Sequence, residues 1–133
     1  MSLPAIHKLP MVHISAYMAD MSSATVPTSS AYIRVPFRCT LDEASVTPFG
    51  AITSANAVIT ISQNGTTING ADSNGTTANV LTILSAGAAA GIVVTYAPSS
   101  VIHCVKGDYI SFVSNHASST ATPATCEIGV RPE

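Results

Sequence analysis

Apolar and polar side chains alternate along most of this chain, and the clearest run is residues 56–70, NAVITISQNGTTING. Ala57, Ile59 and Ile61 share one phase, while Val58, Thr60 and Ser62 share the other. Successive strand side chains point to opposite faces, so this β-branched run predicts a half-buried strand. Asn64-Gly65 follows, a pair that accepts positive φ at both central positions of a type I′ turn. A two-residue turn sets Gln63 opposite Thr66 and Ile61 opposite Ile68, which keeps both isoleucines on one face.

The same period recurs elsewhere. In residues 11–21 Val12, Ile14, Ala16 and Met18 alternate as in a strand, although Ile14, Tyr17, Met18 and Met21 also fit one helical face. The β character downstream favours the strand. Ala31, Ile33, Val35 and Phe37 face one way and Tyr32 and Arg34 the other; Pro36 cannot donate to a ladder, so an edge or bent strand is expected. A further strand spans roughly residues 38–47, up to Pro48-Phe49-Gly50. Later strands are expected at 80–85, 92–96, 101–105, from Tyr109 with Ile110 and Phe112 inward, and at 125–130 with Cys126, Ile128 and Val130 inward. APSS reads as a turn between two of these, and KGD at 106–108 as another. Asn69-Gly70 and Asn74-Gly75 imply a long exposed loop without regular pairing. The expectation is one all-β domain over residues 11–133, an antiparallel, jelly-roll-like β-sandwich of about nine or ten short strands. Residues 1–10, with Pro4 and Pro10, read as an extended N-terminal arm. Its Leu3, Ile6 and Leu9 are candidate assembly contacts, on the same subunit or, as reach favours, on a neighbour.

Composition narrows the function. Only 9% of the 133 residues are Asp, Glu, Lys or Arg, against roughly 25% in ordinary soluble chains. A surface of Ser, Thr, Asn, Gly and Ala suits a chain covered by copies of itself or by a partner. The net charge of −2 is scattered, with no basic stripe, which argues against nucleic acid. No apolar run approaches the roughly 18 residues that span a bilayer, and Lys8 with two prolines interrupts any export signal.

Candidate chemistry is thin. Cys39, Cys104 and Cys126 are distant and odd in number, so buried free thiols are expected rather than disulfides or zinc ligands. His7, His13, His103 and His116 lack metal-ligand spacing, and His103 alternates outward between Ile102 and Cys104. Asp42 and Glu43 are strand neighbours, expected on opposite faces and therefore unsuited to paired acid/base work. No nucleophile elbow or phosphate loop occurs. Asn64 and Asn74 head N-x-T sequons, which without a secretory route are read as coincidental.

The order ADMSSA…AYIRVPFRCTL…ASVTPFGAITSANAVITISQNGTTI…GDYISFVS resembles small β-sandwich decoration (cement) proteins of tailed-bacteriophage heads, over about residues 14–70 and 105–130. Arg34, Arg38, Asp42 and Glu43 depart from it, placing charge where small or apolar residues are expected. The resemblance implies a homotrimer, made in the host cytoplasm, that sits on the major capsid protein in the virion and reinforces the shell. It implies no enzymatic activity and no cofactor. A carbohydrate- or receptor-binding sandwich of a phage fibre or tail is the alternative, and the absence of Trp counts against it.

Overall fold

Alternation becomes strand throughout. The computed structural model describes residues 10–23, 28–75, 77–85, 92–115 and 121–133, which hold eleven strands and no helix. The larger sheet contains β1 (Val12–Met18), β3 (Cys39–Pro48), β6 (Gly70–Asp72), β8 (Val94–Pro98), β9 (Ile102–Cys104) and β11 (Ala124–Pro132). Its order is β1-β11-β3-β8-β6, with β9 also on β3. The smaller sheet runs β2 (Ser30–Arg34), β10 (Tyr109–Ser114), β4 (Ala57–Gln63), β5 (Thr66–Thr67), with β7 (Leu81–Ile83) also on β4. Every pairing is antiparallel, and the two sheets pack as a β-sandwich.

The core lies between the sheets. Ile33, Ile59, Ile61, Ile110 and Phe112 come from the smaller sheet, and Leu41, Val46, Tyr96, Ile128 and Val130 from the larger. The central hairpin has the expected register: Gln63 pairs with Thr66, and Ile68 N–H donates to Ile61 O at 2.8 Å. Asn64 and Gly65 have φ of 50° and 89°, as a type I′ turn requires. β1 is a strand, so the helical phase of residues 11–21 is not used, and β2 is the edge its proline suggested.

Three local expectations are corrected. Residues 69–75 are not an unpaired loop: β6 pairs with β8. A Cβ on Gly70 would stand 2.2 Å from Ala97 O, so glycine there permits a close strand approach. Asp72, only 8% exposed, then anchors the next turn. Its carboxylate accepts N–H groups of Asn74, Gly75 and Thr82 at 3.0, 2.8 and 2.6 Å. APSS does not reverse the chain. β8 and β9 both run antiparallel to successive parts of β3, and the segment between them is an interruption in one strand line. Finally, the β3–β11 register shifts between Gly129 and Val130, so that Glu43 pairs with Gly129 and Leu41 with Val130. Asp42 is the extra residue of a bulge, which breaks the period of two. Leu41 and Ala44 are buried, and Asp42 and Glu43 line one surface pocket rather than opposite faces.

Candidate functional site

The outer face of the larger sheet changes character along its strands. At one end Tyr17 pairs with Thr125, and Thr125 with Thr47. Val93 lies one step beyond the Val46–Val94 pair and extends this row. Phe49, just past β3, brings its ring centroid to 6.0 Å from that of Tyr17. Tyr17, Phe49, Ile92 and Val93 are each 49–60% exposed and form an apolar band at this end, while Val101 and Val105, exposed on either side of β9, lie apart from it. The chain beneath it is tied down. Phe49 N–H donates to Pro123 O at 2.9 Å, and Met21 N–H to Thr122 O at 2.8 Å. The Asp20 carboxylate accepts from Ser22 N–H, Ser22 Oγ–H and Thr122 N–H. Partial desolvation raises the Asp20 pKa, but these donors outweigh it and leave it below the ordinary value.

The opposite end is charged. Arg131 pairs with Asp42, and Glu133 accepts from both Arg38 (3.3 Å) and His103 (2.6 Å). His13 meets Glu127 at 2.9 Å, between the two ends. The hydrogen bonds from His103 and then Thr40 hold Glu133 below the usual carboxylate range. Pairs this exposed contribute little to stability; they define where charge sits. Asp108 closes the same end, accepting Val105 N–H at 2.9 Å, Asn64 Nδ2 at 3.0 Å and Gln63 Nε2 at 3.3 Å. The Val105 and Asn64 donors hold its pKa down.

The smaller sheet carries one formal charge on its strands, Arg34. Arg34 pairs in register with Tyr109, and Tyr32 with Ser111. Tyr32 and Tyr109 are exposed, with ring centroids 6.3 Å apart and planes tilted by 59°. With Arg34 they line a surface cleft of about 410 Å³.

Leu3, Ile6 and Leu9 lie outside the described residues, as do His7 and His116. His103 faces outward as its phase required, and Glu133 is its partner. All three cysteines are free and buried. Burial pushes the Cys126 thiol up to about 12. Cys39 and Cys104, 65 positions apart, are directly paired between β3 and β9, a proximity absent from the linear spacing. Burial is also the main cause raising both of these thiols, that of Cys104 to about 12. Both sequon asparagines use their side-chain amides internally, Asn64 on Asp108 and Asn74 on Thr82 O at 2.7 Å. No group of three or more His, Cys, Asp or Glu among the described residues is placed to hold a metal ion. The outward phases of Tyr17, Tyr32 and Arg34 were readable from alternation; that Tyr17 meets Phe49, and Tyr32 meets Tyr109, was not. No family model and no curated protein matches the chain.

Proposed function

We propose that the protein is a non-enzymatic structural protein. It binds the outside of a phage head as a homotrimer and stabilises the shell through contact with the major capsid protein. The observation that carries this reading is the apolar band of Tyr17, Phe49, Ile92 and Val93 at the end of the sandwich away from the ion pairs. A half-exposed cluster of this kind fits a protein contact. The resemblance to phage decoration proteins and the 9% charged composition support the same reading.

The test is sedimentation of the isolated protein, followed by cosedimentation with undecorated phage heads. A trimer that binds heads, and a Phe49→Asp variant that folds but loses trimerisation or head binding, is the expected result. A monomer at micromolar concentration that ignores heads would overturn it. The arm has its own test, deletion of residues 2–9. Loss of assembly with unchanged subunit unfolding would make Leu3, Ile6 and Leu9 contacts between molecules. Unchanged assembly would remove them from the reading.

A further inference from the structure

Of the three arginines, Arg34 is the one without an ion pair. The chain's seven acidic side chains are Asp20, Asp42, Glu43, Asp72, Asp108, Glu127 and Glu133, and all are among the described residues. The ion pairs join Arg38 to Glu133 and Arg131 to Asp42, while Arg34 has no carboxylate within ion-pair distance. It stands on an edge strand whose sheet carries no acid on any strand. On either side are the two exposed tyrosines of that sheet.

We propose that Tyr32, Arg34 and Tyr109 form a binding site for a sugar bearing a carboxylate. A tyrosine ring offers a flat apolar face for the C–H side of a pyranose together with a hydroxyl for its polar rim. A guanidinium supplies two parallel N–H donors that match a carboxylate in a bidentate pair. The 6.3 Å spacing and the 59° tilt make a corner rather than a closed stack, so both rings remain open to a ligand. The cleft of about 410 Å³ falls in the usual range for small-molecule sites, roughly 300–1,000 Å³. Next to it in register stand Ser111, buried at 6% exposure, and the half-buried Ser62, so the surroundings of the cleft hold small polar side chains and no large apolar anchor. That pattern favours a glycan over a peptide, whose hot spots need buried hydrophobic pockets. The cleft lies at the Asp108 end of the smaller sheet, since Asp108 O accepts Val35 N–H and Tyr109 follows directly in β10. It is therefore at the opposite end of the sandwich from the apolar band, and the inference stands whether or not that band contacts a shell.

The experiment titrates the full chain with glucuronate, N-acetylneuraminate, glucose, acetate and an acidic peptide, following the Arg34 Nε–H and Tyr109 amide resonances. At least one of the two carboxylated sugars is expected to shift both signals saturably, with glucose and acetate each weaker by roughly tenfold or more. Which carboxylated sugar binds identifies the source of the glycan. Arg34→Gln should weaken that sugar by roughly tenfold and leave the weak glucose response unchanged. Tyr109→Ala should abolish binding, and Tyr109→Phe, which keeps the ring, should retain most of it. Thermal unfolding of each variant separates lost binding from lost folding. Equal responses to glucose and the acid sugars, equal responses to acetate, tighter binding of the peptide, or no saturable shift from either acid sugar would each overturn the proposal.

Discussion

Asp108 joins three parts of the fold, with donors from the Val105 backbone, the turn residue Asn64 and Gln63 at the end of β4. Its folded pKa lies below the ordinary value, and those of Asp20 and Glu133 are lowered too. A carboxylate depressed by folding adds stability that is complete above its unfolded pKa, near about 4. That stability is lost as pH falls through the folded value. The melting temperature should therefore hold from pH 7 to pH 5 and fall below about pH 4. Asp108→Asn should melt lower at neutral pH and show a shallower acid fall; equal acid slopes in the two proteins would remove Asp108 from the account. Thr82 gives a prediction of the opposite sign, because its buried hydroxyl has no hydrogen-bond partner. Thr82→Val removes that orphan and should raise stability by about 0.5–2 kcal/mol in chemical denaturation. Gly70→Ala should do the reverse, costing about 2–4 kcal/mol, since its Cβ would collide with Ala97 O.

Among the elements, β4 carries the smaller sheet, pairing with β10, β5 and β7. Ile61 is 1% exposed and faces Phe112 in register. Ile61→Ala should cost about 2–5 kcal/mol in denaturant titration, from lost burial plus the cavity left behind; less than half of that would make the strand peripheral. This hairpin was fully legible in the sequence, because alternation, β-branching and an Asn-Gly turn are properties of a dozen consecutive residues. The β3 bulge was not. Nothing in CTLDEASV marks where the period breaks; Asp42 is extruded because the partner strand shifts register at Gly129–Val130. A Cβ on Gly129 would lie 2.6 Å from Met11 Sδ and 2.9 Å from Glu43 Cγ, so a larger residue would crowd the bulge. The β8–β9 line departs from the expected turn for a similar reason. Proline and serine predict an interruption in pairing, but whether the chain then reverses depends on the strand beside it.

At the scale of the whole molecule two features of the larger sheet stand apart. The ion pairs of Arg131, Arg38, His103 and Glu133 cluster at one end of the larger sheet and the band of Tyr17, Phe49, Ile92 and Val93 at the other. If the band is the assembly contact, Phe49→Asp should lower oligomer mass in sedimentation while leaving the subunit's unfolding midpoint nearly unchanged. Raising salt should alter the wild-type oligomer little, since the band carries no ion pair for ions to screen. Strong dissociation by salt would move the interface to the charged end.

Sequence alone determined the fold class, the central hairpin, the inward residues of β1, β2, β4, β10 and β11 and the burial of all three thiols. These follow from side-chain phase, which the chain's own geometry imposes every two residues. Tertiary structure alone decided which residues meet. Arg34 lies beside Tyr109, Tyr17 beside Phe49, and Cys39 beside Cys104 because strands remote in sequence share a register. That register is set by two sheets closing over one core, and no local pattern encodes it.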